Sequence, residues 1–317
     1  MTYGFAGYLG VAREVTWGTP VAATHFFEAL SENIVTNMDR FDVKNIVGGA
    51  MYEADDEGGL LRYQGEIVAA AHPQILGHFL RAALGIQSLT IVGSSYFKYD
   101  YIPTPTDIGS YHALPAYSVE IYRDVTTAEW YGGAQIQRLV LATAPNQDLR
   151  MTTTFIAKTR TTAARQAVIT FPTSPIGVFK FDTSSISLGG VAVDRFESFS
   201  LTFDNQLEGI PTLNNTREIA RIHRNGPQLV RLNATVGFYD MSDLNTFINQ
   251  TEQRVTFNIT KPNSFALLID IPRAIFSSFP VRLAGRNRVT VDFEMIGRFS
   301  QSSSYAVRMT LTTVNTF

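Results

Sequence analysis

The sequence predicts an all-β fold with one short helix per repeat, arranged as two tandem β-sandwich domains. Three observations carry that expectation. One stretch occurs twice: Leu61–Leu84, LRYQGEIVAAAHPQILGHFLRAAL, and Val230–Glu252, VRLNATVGFYDMSDLNTFINQTE, each run a strand-like alternation directly into a short amphipathic helix. Nearly everything outside those two helices alternates with the period of a strand. A chain of 317 residues, 45% apolar and 17% charged, can supply each of two ordinary domains with its own core.

The repeat can be followed residue by residue. Arg62, Tyr63, Gly65 and Ile67 are answered 169 positions later by Arg231, Leu232, Ala234 and Val236. One position is lost at the junction, after which Leu76, Phe79 and Leu80 are answered by Leu244, Phe247 and Ile248. The i, i+3, i+4 spacing puts those three apolar groups on one helical face in both copies. A strand that turns into a helix at the same point twice reads as a tandem duplication.

Composition excludes several classes. A formal net charge of −2 is not that of a strongly basic protein built to grip nucleic-acid backbones. With no cysteine there is no disulfide framework, thiolate metal site or cysteine nucleophile, which fits a reducing compartment or a protein that tolerates both. The N-terminus lacks the basic start and apolar run of a signal peptide. No apolar stretch approaches the ~20 residues of a membrane-spanning helix.

In chain order, residues 1–160 are expected to form the first domain. It begins with a glycine-rich irregular arm, Met1–Ala23, anchored by Tyr3, Phe5, Tyr8 and Trp17. Phe27–Ile34 reads as a strand, and Val35–Gly59 as a long polar loop with an acidic tip, Glu53, Asp55, Asp56 and Glu57. The strand–helix unit follows, with Pro73 suited to the first helical turn and Gly85 to the position past its end. Gln87–Pro115 is an insertion without a twin of similar length. Tyr117–Asp124, Ile136–Leu141 and Leu149–Ala157 read as strands, the last two joined by the turn Ala144–Asp148. Residues 161–195, rich in small and polar types, are expected to link the halves. The second domain, 196–317, repeats the order: strand Phe196–Phe203, a basic loop carrying Arg217, Arg221 and Arg224, the strand–helix unit, then Phe265–Ile271, Val281–Leu283 and Val289–Met295. These last three answer Tyr117–Arg123, Gln137–Leu139 and Leu149–Phe155.

Each half has strands with one apolar and one polar face. Val230, Leu232, Ala234, Val236 and Phe238 oppose Arg231, Asn233 and Thr235, while Val289, Val291, Phe293 and Met295 oppose Thr290, Asp292 and Glu294. In the first half the polar set is Arg62, Gln64 and Glu66, then Arg150, Thr152 and Thr154. A sandwich whose outer face meets solvent explains this. So does a water-filled channel lined by several subunits, and duplication favours the channel, because repeated domains with sheet edges can close a ring and remove those edges.

Catalytic signatures are missing: no nucleophile elbow, phosphate-cradling loop, dinucleotide fingerprint or H-E-x-x-H. The five histidines are scattered, and the twins of His72 and His78 are Asp240 and Thr246. The acidic tip lacks the regular ligand pattern of a calcium loop. The reading is therefore no enzyme, no cofactor and no metal.

The segments GYLGVAREVTWGTPVAATHFFEALSENI and FESFSLTFDNQLEG, the second followed by a strand, a short helix and a closing hairpin, resemble tail tube proteins of long-tailed, non-contractile bacteriophages. The resemblance covers essentially the whole chain and implies a β-sandwich with a flanking helix. Six such folds make a ring with a continuous inner barrel, and rings stack into a tube. Two copies in one chain imply a trimeric, pseudo-hexameric ring. The implied partners are the protein itself, a tape-measure protein, tail terminator and tail tip proteins, and passing double-stranded DNA held without specific binding. The implied place is the virion, assembled in the bacterial cytoplasm, with no membrane contact.

The resemblance gives roles to residues already singled out. Glu28, Glu66, Thr152, Thr154, Glu197, Asn233, Thr235, Asp292 and Glu294 would line the bore, whose acids would keep phosphates sliding. Arg62, Arg150 and Arg231 share those faces and fit only if the acids pair with them. Tyr8, Trp17, Glu53, Asp55, Asp56, Glu57, Arg217, Arg221 and Arg224 would mediate contacts between stacked rings. The alternatives are a tail terminator or capsid decoration protein, and a secreted carbohydrate-binding sandwich using Tyr96, Phe97, Tyr99 and Tyr101.

Overall fold

The computed structural model describes residues 3–42, 56–92, 96–172, 177–213, 215–262, 264–282 and 288–317. The first half runs through a 3-10 turn (Gly4–Ala6) and strands β1 (Tyr8–Arg13), β2 (His25–Phe27), β3 (Ala29–Glu32), β4 (Val35–Asp42) and β5 (Asp56–Ala70). Helix α1 (Leu76–Leu84) follows, then β6 (Gly85–Val92), β7 (Tyr96–Pro103), β8 (Tyr117–Tyr122), β9 (Thr127–Thr143), β10 (Arg150–Ala157) and β11 (Thr159–Ala164). The second half opens on another 3-10 turn (Phe181–Thr183), then β12 (Ser184–Leu188), β13 (Val191–Val193), β14 (Phe196–Asp204), β15 (Leu207–Ile210), β16 (Arg221–Arg224) and β17 (Leu229–Gly237). Helix α2 (Ser242–Ile248) leads to β18 (Gln253–Thr260), β19 (Ala266–Ser278), β20 (Thr290–Gly297) and β21 (Arg308–Thr313). The fold is all-β with two short α-helices among the described residues.

The ladders of the first half recur in the second, all antiparallel. The hairpin β1–β2 is matched by β12–β13, β1–β8 by β12–β18, and β8–β9 by β18–β19. Likewise β9–β11 is matched by β19–β21, β9–β10 by β19–β20, β5–β10 by β17–β20, and the pairing of β5 with β3 and β4 by β17–β14. Two ladders run between the halves: β9 pairs with β14, and β7 of the insertion pairs with β21.

A single core cluster spans both halves. Val11 and Val119, Ile67 and Phe155, and Phe79 and Ala82 of α1 all close around one small apolar space, so both layers and the helix share that core. Strand β9 passes through both layers: its first part ladders with β8 and β11, its second with β10 and β14. Gly85 caps α1 at φ +92°, where a side chain would strain the backbone and meet Thr104.

Several expectations need correction. The N-terminal arm is not irregular: Tyr8–Arg13 forms β1, held between β8 and β2. Its alternation is masked by glycines, and Gly10 is where the Phe26 ring packs close. Part of the long polar loop is the strand β4, while residues 43–55 lie outside the described residues. The stretch expected to be a linker contributes β11 to the first half and β12 and β13 to the second. The twin of β8 is β18, not Phe265–Ile271, which falls in the first part of β19. Val281 and Arg282 form no strand, and Leu283 lies outside the described residues. Pro280 removes a backbone donor just before them, and among the described residues no neighbouring strand covers that edge.

Candidate functional site: the polar face of the eight-position sheet

Read across, β3 and β4 share one edge position on β5, and the order continues β5–β10–β9–β14–β17–β20–β19. Alternation sorts the side chains of this sheet into two faces. Tyr63, Ile67, Met151, Phe155, Leu139, Leu141, Phe199, Phe203, Leu232, Val236, Phe293 and Phe276 are buried against the core. The opposite face carries Arg62, Gln64, Glu66, Arg150, Thr152, Thr154, Arg138, Ser200, Thr202, Asp204, Arg231, Asn233, Thr235, Asp292 and Glu294, all exposed or half-buried. A shallow hollow of about 690 Å3 lies on it, lined in part by Arg150, Ser200, Asn233, Thr235, Asp292 and Glu294.

Seven of the nine residues expected to line a bore lie on this one face. The registers place Asn233 directly opposite Glu294 and Thr235 opposite Asp292. Thr235 donates its hydroxyl to Asp292 at 2.7 Å, and Ser277 donates to Glu294 at 2.8 Å. Glu28 and Glu197 stand apart. Glu28 lines a groove beside β3, and Glu197 sits at the bulge of β14, paired with Arg288 at 2.7 Å.

The arginines of the face each have a carboxylate nearby. Arg231 lies 3.5 Å from Glu294, Arg62 3.0 Å from Asp39 and Arg150 3.8 Å from Asp148. Arg138, within the expected strand Ile136–Leu141 but not among the residues singled out in it, stands opposite Asp204 in the β9–β14 ladder. Glu66 and Asp292 have no ion-pair partner among the described residues. These exposed pairs add little stability; their effect is to leave few arginines unneutralised on the face.

Most residues expected at contacts between stacked rings are engaged inside the chain. Tyr8 is 4% exposed, and its hydroxyl donates to Glu120 at 2.7 Å. Trp17 donates to the Gly133 carbonyl at 3.2 Å, with the Lys158 ammonium 4.5 Å from its ring centre. Arg217 donates to the Gly59 carbonyl at 2.8 Å, and Arg224 to Asp107 at 3.1 Å. The basic loop of the second half thus folds against the first half of its own chain. Arg221 is half-buried in β16. Asp56 pairs with Arg40 at 2.6 Å and Glu57 is exposed, whereas Glu53 and Asp55 lie outside the described residues.

The carbohydrate-binding alternative fails on burial: Tyr99 and Tyr101 are 2% and 0% exposed, and Phe97 and Tyr96 are half-buried. Among the described residues, no group of three or more His, Cys, Asp or Glu could hold a metal ion. No helix there is long and apolar enough to cross a membrane.

A family model described as "Phage tail tube protein" matches residues 4–306. No curated protein matches the chain.

Proposed function

The chain belongs to the phage tail tube protein family, a structural component of the virion, and from that premise we propose that it is the major tail tube subunit of a long-tailed phage. Its two halves derive from a duplicated tube fold, and three chains close a pseudo-hexameric ring. Rings stack into a hollow conduit around a tape-measure protein, ended by terminator and tip proteins and later traversed by DNA. Assembly takes place in the bacterial cytoplasm. The role is structural and involves no catalysis.

The observation that carries this reading is the eight-position sheet with one apolar and one polar face. A wet face with few unpaired cations suits a bore, because each retained phosphate contact would add electrostatic affinity and slow the DNA. Asp56 and Glu57, exposed at one end of β5, are candidates for contact between rings. Negative-stain micrographs of the concentrated protein test the proposal: long filaments of stacked rings are expected. Particles that stop at a single ring would indicate a terminator, and solitary monomers at high concentration would overturn the reading.

A further inference from the structure

The β9–β14 ladder joins the halves edge to edge, and among the described residues the matching edges at the two ends of the sheet are unpaired. β4 pairs with β5 alone among the described residues, and it exposes Val35, Met38 and Phe41 at 47%, 42% and 54%. An open apolar strand edge is a template for another strand. Beside β3, at the same edge of the sheet, a groove of about 700 Å3 is lined by Tyr3, Tyr8, Glu28, Leu30 and Arg123. The equivalent groove of the second half, between the turn before β12 and β14, holds only about 130 Å3, because Thr143, Ala144 and Pro145 at the end of β9 wall it in. Among the described residues the first groove has no such wall.

We infer that the open β4 edge is covered by a second copy of the chain, whose segment Phe279–Arg282 lies antiparallel along β4 as β9 lies along β14. The inference rests on the ring reading above and adds its register. Leu139 stands opposite Phe203, Phe203 opposite Val230, and Val230 answers Leu61, which stands opposite Met38. On the donor side, Leu139 stands opposite Thr153, and Thr153 opposite Ile67. Ile67 answers Val236, which stands opposite Val291. The β19–β20 ladder sets Ser278 opposite Glu294, and continuing it brings Val281 to Val291. Val281 of one copy therefore faces Met38 of the next.

The chain has no cysteine, so two single variants, Met38→Cys and Val281→Cys, give a clean test. Facing residues in an antiparallel pair have Cα atoms ~4.5–5.5 Å apart, within disulfide reach. Met38 is exposed and Val281 half-buried at the margin of the core, so circular dichroism checks that each variant folds. Mixed, assembled and oxidised, the two should give a covalent heterodimer on a non-reducing gel, while each alone stays monomeric on that gel. Rings in the micrograph without the heterodimer would overturn the register and leave the ring standing. Neither rings nor heterodimer would overturn both. Covalent homodimers of Met38→Cys would replace the head-to-tail junction with a two-fold one.

Discussion

Leu139 of β9 lies directly opposite Phe203 of β14, in a ladder that runs from Arg138–Asp204 to Thr143–Phe199. Both side chains are essentially unexposed, and both belong to the core cluster that spans the two halves. Phe203→Ala should therefore cost about 3–5 kcal/mol, the range for truncating a buried aromatic. Urea unfolding should also show one transition for the whole chain; two separated transitions would show that the junction does not couple the halves.

Asp270 is a fully buried carboxylate in the second half, bonded by Arg254 at 2.7 Å and by the Tyr305 hydroxyl at 2.6 Å, with Arg308 at 3.4 Å. Burial pushes its carboxyl up, but those donors and the two guanidinium charges outweigh that and hold it below its ordinary range. The stability it supplies is present above the unfolded carboxylate pKa and is lost as the pH falls through the lower folded value. Asp270→Asn should cost about 3 kcal/mol at neutral pH, with a smaller difference from the native chain in acid, measured as the shift in urea midpoint at each pH.

His78 is packed on α1 against His25, with ring centres 4.0 Å apart, and against Phe317 at 4.9 Å. Burial, with the charges of His25 and Arg81, lowers its pKa to about 3, and burial with the Lys261 charge lowers that of His72 to about 4. Both rings are neutral in the fold but gain protons near pH ~6.5 when unfolded. Stability therefore falls as the pH drops from there toward the folded values. His78→Leu should flatten the acid limb of a plot of Tm against pH relative to the native chain; an unchanged limb would show that His78 is charged in the fold.

Glu66 and Asp292 lie on the polar face without an ion-pair partner among the described residues, so lysine at either position would bring a new cation to the proposed bore. Tubes of a Glu66→Lys, Asp292→Lys double variant should retain double-stranded DNA at low salt and release it as salt rises, whereas native tubes should retain none. Co-sedimentation across a salt series reads this. Equal retention by both would place the face away from the bore.

The parts legible in the sequence were those where period and burial agree. The alternation of β17 and β20, the apolar face of α1 and its Gly85 cap all lie where the reading put them. Strands were lost where something local hides the period. Gly132 and Gly133 look like a break, yet they lie within β9, with Gly133 at φ +67° and its amide donating to the buried Glu14 carboxylate at 2.7 Å. The V-x-F-x-I run of β18 alternates as a strand does, but the apolar run Phe265–Ile271 that follows it competes for the same match to Tyr117–Arg123. No sequence rule showed that Arg217 reaches Gly59 across 158 positions, because that contact exists only once the β15–β16 hairpin has folded back over the first half.

The insertion hairpin leaves an asymmetry. β7 seals the outer edge of β21, while β11, which holds the same place in the first half, is paired only with β9 among the described residues. In a closed trio of chains the inner lining would thus repeat six times around the axis, while the rind would repeat only three times. An antibody or accessory protein docking from outside would find three identical footholds per tier, each beside an uncapped strand.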